Sequence, residues 1–217
     1  MNTTSSNEDS ARQSLGSAIT SGRLVVAGLL AFVGLVALQH PLRGDLPPSE
    51  HFISEYAKGS TAALQFVAFA CWAIALGAGS LIAARTPVPG RAMARLTAAA
   101  GLGIAAVGIV VAAIFATQTI AGVLPPDVQR TTGGRLHDLG TLGAFAGMIV
   151  AAPASLRLRP RRGYRIALAS LTVLLLTVPM LVALGLDAPG VGQRVFVLVG
   201  CAFLWRLTVE LSPDQRS

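Results

Sequence analysis

The chain has 217 residues, of which 53% are hydrophobic and only 12% charged, and its formal charge is +7. The apolar residues come in long blocks instead of alternating with polar ones, which excludes an ordinary soluble domain. Most of the basic residues lie in short loops between these blocks, so the positive charge predicts no nucleic-acid partner. We expect an all-α, polytopic membrane bundle.

The chain divides into a tail, one domain and a second tail. Residues 1–18 are polar and rich in Ser and Thr, which predicts a disordered cytoplasmic tail. A single six-helix transmembrane domain is predicted over residues 19–211, followed by a short cytoplasmic tail at 212–217. A membrane helix needs about 20 apolar residues. Six runs meet this length approximately: Ile19–Gln39, Thr61–Ala84, Ala92–Ala116, Leu136–Leu156, Tyr164–Leu186 and Gly192–Leu211.

The loop between the first two spans predicts a short helix of its own. Two prolines exclude an earlier start, Ser49 can cap the first turn, and Gly59 can end the helix. His51 and Glu55 are four residues apart and therefore share a face, with Ser54 beside them. The other side of this segment is apolar. We therefore expect the helix to lie in the extracytoplasmic membrane interface or to fold over the bundle.

A pair of glycines marks the fourth span. Gly143 and Gly147 form a GxxxG spacing, which allows a neighbouring helix backbone to approach closely. The pattern favours helix packing within the bundle over dimerisation.

The orientation follows from the distribution of basic residues among the loops. The second and fourth loops carry arginines and no acidic residue: Arg85, Arg91, Arg95, Arg157, Arg159, Arg161, Arg162 and Arg165. Positively charged loops face the cytoplasm, so both termini are predicted to be cytoplasmic. We expect these arginines to contact anionic lipid headgroups.

The histidines fall on the opposite side. His40, His51 and His137 all lie at or beside span ends that point the same way, together with the loop carboxylates. Asp138 is predicted in the first turn of the fourth span, where the helix dipole favours a carboxylate. Asp187, Gln193 and Arg194 add polar groups at the last loop on this side. These residues predict an outward-facing polar pocket.

Three segments resemble a known family. They are His40–Pro41 at the end of the first span, Ile53–Tyr56 before the second, and Arg135–Gly140 at the start of the fourth. Together they are similar to a bacterial and archaeal membrane family called domain of unknown function 998. The resemblance covers nearly the whole chain beyond residue 22 and implies the same six-helix layout, but it implies no reaction. We expect the chain in the bacterial cytoplasmic (inner) membrane.

Three functions remain open at this point. The first is a lipid-binding, sensing or accessory membrane protein. The second is an intramembrane hydrolase or cyclase acting on a lipid or isoprenoid, with histidine and carboxylate as acid and base. In one version, His40, His51 and His137 bind zinc. The third is a small transporter. The candidate catalytic residues are His51, Glu55, His137 and Asp138. The supporting ligand-binding candidates are His40, Ser54, Tyr56 and Gln65.

Overall fold

Six α-helices account for most of the chain. The computed structural model describes the backbone of residues 3–158, 162–183 and 188–211, and their side chains except at 3–19, 178–179 and 181–183. The helices are α1 (Thr3–Leu42), α2 (Ala62–Arg85), α3 (Ala92–Ile114), α4 (Thr132–Ser155), α5 (Arg162–Ala183) and α6 (Pro189–Leu211). Within these ranges no β-strand forms, apart from one isolated bridge between Ile120 and Val123. The all-α prediction is confirmed for the described residues.

The membrane character of four helices is clear from their length and composition. Thr20–Leu42, Gly59–Arg85, Ala92–Ile114 and Thr132–Ser155 are long and apolar enough to cross a bilayer. Helix α1 differs from the expectation at its start, because it begins at Thr3, within the segment predicted to be disordered. Propagation from an existing helix adds one hydrogen bond per residue without a new nucleus, which explains the extension. The predicted tail at 212–217 lies outside the described residues.

Glycine brings α3 and α4 into backbone contact. A Cβ on Gly101 would lie 2.6 Å from the Gly147 carbonyl oxygen, and one on Gly108 would lie 2.4 Å from that of Gly140. The two pairs are seven residues apart on each helix, so one antiparallel register serves both. The predicted packing role is thus found for Gly147. Gly143 faces open space.

The bundle has two chemically different ends. At the arginine end, the Arg91 guanidinium donates to the Arg157 carbonyl, which joins the second and fourth loops. At the histidine end, the Gly190 amide donates to the Ser49 carbonyl at 3.1 Å, which joins the start of α6 to the first loop. The arginine end also holds one buried acidic residue, Glu210, paired with Arg206 at 2.5 Å within α6. The separation predicted from loop composition therefore holds in three dimensions.

Substitution of Gly147 by Ala should destabilise the protein by roughly 1–3 kcal/mol, because the new methyl meets backbone that cannot move alone. The matched change is Gly143→Ala in the same helix, where the methyl meets no atom within 4 Å. Alanine's higher helix propensity should make that variant about 0.5–1 kcal/mol more stable. Thermal unfolding in detergent compares the two. Equal melting temperatures would contradict the close α3–α4 contact.

Candidate ligand-binding pocket

The loop between α1 and α2 folds into two short 3-10 helices, Ile53–Ala57 and Gly59–Thr61. The predicted interfacial helix therefore begins later than expected and has the tighter 3-10 form. A turn precedes it, in which the His51 amide donates to the Pro47 carbonyl at 3.0 Å, and Phe52 is extended. This geometry still brings His51 against Glu55. Both side chains are buried.

Glu55 fastens the first loop to the third. Its carboxylate lies 2.6 Å from Nδ1 of His51 and accepts from the amides of Ala121 and Gly122, each at 3.0 Å. Ala121 (φ 50°) and Gly122 (φ 77°) both occupy the left-handed region, so their successive N–H groups point to one side and form an anion-binding concavity. Only 2% of Glu55 is exposed. The buried carboxylate of Glu55 thus connects the first loop to the third.

Arg194 fastens the first loop to α6. Its Nη1 donates to the carbonyls of Pro48 (2.7 Å), His51 (2.6 Å) and Gly190 (3.0 Å). Its Nη2 donates to the Tyr56 hydroxyl at 3.0 Å, and its Nε points to Nε2 of His40 at 3.4 Å. A guanidinium supplies five N–H donors in a planar fork, which suits several acceptors at once.

Two cations of the first loop, Arg43 and Lys58, make further contacts within that loop and with the third loop. Arg43 pairs with Asp45 at 2.7 Å and also donates to the Lys58 carbonyl, so it joins the start of the loop to its end. Hydrogen bonding to Arg43 holds the pKa of Asp45 below its ordinary value. Lys58 donates to the Thr119 carbonyl at 2.8 Å. Burial lowers the pKa of Lys58, while the nearby Glu55 charge acts in the opposite direction.

His137 lies on α4 but caps the end of α3. Its Nδ1 is 3.0 Å from the Ala112 carbonyl oxygen and 2.7 Å from that of Phe115. Its Nε2 lies 3.5 Å from the Thr141 hydroxyl. The side chain reaches these carbonyls because Gly140, one turn further along, holds α4 close to α3. The ring therefore has one nitrogen committed to backbone.

Asp138 lies elsewhere than the sequence predicts. The Thr131 side chain accepts from the Gly134 amide and caps α4, so the helix begins at Thr132 and Asp138 falls in its second turn. The expectation of a first-turn carboxylate was wrong, because the helix starts earlier than Leu136. Asp138 pairs instead with Arg130 of the third loop at 2.8 Å.

A cavity of about 450 Å³ lies at the histidine end, bounded by α4, α6 and the first and third loops. Its polar lining comprises Ser54, Thr117, Thr119, His137, Thr141 and Gln193, with the Arg130–Asp138 pair beside them. Its apolar lining includes Phe52, Leu142, Phe145 and Phe196. Leu142 is 64% exposed on the outer surface of α4, so this histidine-end pocket reaches the side of the bundle.

A second, enclosed cavity of about 20 Å³ lies deeper in the bundle. It shares Ser54, Thr141, Phe145 and Gln193 with the histidine-end pocket and is lined further in by Trp72. The Trp72 indole N–H is buried and has no hydrogen-bond partner among the described residues. This inner cavity has room for about one water molecule.

The candidate residues predicted from sequence separate into three groups. Ser54, His137 and Asp138 line the histidine-end pocket. His51 and Glu55 form a buried pair outside this lining, at the contact between the first and third loops. The remaining candidates lie away from its lining: Tyr56 and His40 contact Arg194, and Gln65 is buried on α2.

The predicted zinc ligands do not come together. Across the part of the chain that the structure describes, no three His, Cys, Asp or Glu side chains are placed to hold a metal ion. His40 faces Arg194, His51 faces Glu55, and His137 faces carbonyl oxygens. Asp138, the neighbouring candidate, pairs with Arg130.

Gln193 and Arg194 were placed at the polar end from the sequence but were not chosen as candidate site residues. Gln193 accepts from the Ile53 amide at 2.6 Å and also lines the pocket. The available signal was two adjacent polar residues at the start of an otherwise apolar helix. Several of their partners are backbone groups far away in the chain, those of Pro48, His51 and Ile53, which a side-chain motif does not reveal.

Substitution of Glu55 by Gln should destabilise the protein by about 1–3 kcal/mol. The substitution replaces one carboxylate oxygen, which accepts hydrogen bonds, by an NH₂ group that only donates, and this leaves a buried N–H donor without an acceptor. Glu50→Gln is the control, since Glu50 is an exposed residue of the same loop. Thermal unfolding of the two variants measures the difference. A Glu55→Gln protein as stable as the control would contradict the fastening role.

The comparison with known proteins gives one family. The family described as "Protein of unknown function (DUF998)" matches residues 25–210, which agrees with the resemblance of the three short segments. No curated protein and no solved structure matches the sequence. The match spans most of the chain, and the protein therefore belongs to the DUF998 family.

Proposed function

We propose that this chain is a six-pass membrane protein that binds an uncharacterised lipid-like amphiphile in the histidine-end pocket. Four helices meet the requirements for spanning, and α5 and α6 pack beside them with similar lengths. Val173 and Leu176 of α5 and Leu198 of α6 are half exposed or more. Apolar side chains on the outer surface of a bundle favour contact with lipid.

The orientation forms part of this proposal. The arginine end faces the cytoplasm and the histidine end faces outward across the bacterial cytoplasmic membrane, following the positive-inside tendency. A shallow cavity of about 360 Å³ lies at the arginine end beside Arg162 and Arg165, with Leu156, Ile166 and Ala169. Guanidinium groups above apolar side chains suit an anionic lipid headgroup and the start of its chains.

The two-part lining of the histidine-end pocket carries the proposal. Hydroxyl, amide and imidazole groups lie on one part of its wall, whereas Leu142, Phe145 and Phe196 lie on another. The volume of about 450 Å³ falls within the range of small-molecule sites. A molecule entering beside the exposed Leu142 would keep its chain in lipid and bring its polar group inside. Binding is therefore the favoured role over acid–base catalysis, since Nδ1 of His137 is bonded to a backbone carbonyl and Asp138 is paired with Arg130.

Trp72 supplies the test, because it lines the cavity directly below the pocket. The chain has two tryptophans, so Trp205→Phe leaves Trp72 as the only one. Titration of this protein in nanodiscs with a brominated long-chain alcohol should give saturable quenching of Trp72 fluorescence. Bromine quenches at short range, and Trp72 is only 2% exposed to the surroundings of the bundle.

Thr141→Phe in the same background should fill the pocket. The apparent affinity obtained from the saturable quenching should fall at least about tenfold, an order-of-magnitude expectation for blocking a site. Val150→Phe is the matched control, because Val150 lies on the exposed surface of the same helix. Quenching that rises without saturation, or that Thr141→Phe leaves unchanged, would contradict the binding role.

A further inference from the structure

The hydrogen bonds of His137 fix which of its nitrogens can meet a ligand. Carbonyl oxygens only accept hydrogen bonds, and Nδ1 lies within 3.0 Å of two of them, those of Ala112 and Phe115. Nδ1 must therefore carry the proton in the neutral ring. Nε2 is left with its lone pair and can only accept.

Nε2 has spare capacity on the pocket side. Among the described residues its one hydrogen-bond partner is the Thr141 hydroxyl at 3.5 Å, at the outer limit of a hydrogen bond, and both residues line the pocket. A buried acceptor without a good partner is costly, so a bound donor at this position would be favourable.

The rest of the polar wall carries no net charge. Ser54, Thr117 and Thr119 contribute hydroxyl groups, and Gln193 contributes an amide. Arg130 and Asp138 neutralise each other at 2.8 Å. An anionic headgroup would find an acceptor at Nε2 and an arginine that is already paired. An uncharged hydroxyl headgroup would find both donors and acceptors.

We propose that the pocket selects an uncharged lipid whose headgroup hydroxyl donates to Nε2 of His137. This rests on the proposed binding function and adds the chemical class of its ligand. The recognised feature is the O–H donor itself, whether on a long-chain alcohol, a glyceride or an isoprenoid alcohol.

Two brominated probes test the donor in the Trp205→Phe background: a long-chain alcohol and its methyl ether, which lacks only the O–H. The alcohol should bind about three- to tenfold more tightly, as expected for one hydrogen bond. The preference should vanish in His137→Asn. Asparagine can offer an amide N–H to the α3 carbonyls near the position of Nδ1, but it does not reach the position of Nε2.

Four results would overturn the proposal: equal binding of alcohol and ether, tighter binding of the corresponding fatty acid anion, a preference that persists in His137→Asn, or no saturable quenching by any probe. The last result would overturn the binding function as well, whereas equal binding overturns the hydroxyl selection alone.

A second measurement needs no variant. Imidazole ¹⁵N chemical shifts of the native sequence should report, for the neutral ring of His137, a protonated Nδ1 and an unprotonated Nε2. The alcohol should shift the Nε2 signal of His137 and the ether should leave it unchanged. A proton found on Nε2 would contradict the assignment.

Discussion

The histidine end depends on one buried and one half-buried charge, Glu55 and Arg194, that are satisfied largely by backbone groups. The first and third loops, residues 43–61 and 115–131, have little regular structure, so their buried amides and carbonyls need other partners. The Glu55 carboxylate accepts hydrogen bonds from backbone amides, and the Arg194 guanidinium donates hydrogen bonds to backbone carbonyls. The two side chains act on opposite sides of the same short segment. The loops can therefore hold a fixed shape above the helices without a sheet or a disulfide.

This fixed shape matters because the pocket lies where the helices pack least tightly. Helices α3 and α4 meet at paired glycines, whereas the backbones of α4 and α6 lie farther apart and meet through side chains such as Phe145 and Phe196, whose ring centres are 4.4 Å apart. The space between α4 and α6 is covered by the loops, with Phe52 packed against Gly122 directly below the Glu55 contact. His137 connects the two regions, since close α3–α4 packing brings its Nδ1 to the end of α3. The close packing of α3 and α4 thus determines which nitrogen of His137 is available in the pocket.

Hydropathy was sufficient to predict six helices, because each predicted span is a continuous apolar block, but it did not predict that α1 extends back through polar residues to Thr3. The pairing of His51 with Glu55 was also predictable, since four residues separate them along a short helical segment. Two local expectations failed for physical reasons. Thr131 capped α4 early and displaced Asp138 from the first turn, and the first loop adopted 3-10 geometry after an extended Phe52.

The pocket was predictable as a polar region at this end of the bundle, but its place between α4 and α6 was not. It exists because two helices distant along the chain leave a gap, and hydropathy contains no information about which helices are neighbours. The contribution of Arg194 was hidden for a related reason, since its acceptors are the carbonyls of Pro48, His51 and Gly190. Any residue type except one that distorts the loop could supply those carbonyls.

Hydrogen exchange at individual amides tests the central claim most directly. If the Glu55 carboxylate holds the third loop, the amides of Ala121 and Gly122 should exchange far more slowly than those of Gln129 and Arg130, which are exposed in the same loop. Exchange at Ala121 and Gly122 as fast as at these exposed positions would show that Glu55 does not hold the third loop in place. The loops would then not form a fixed wall of the pocket.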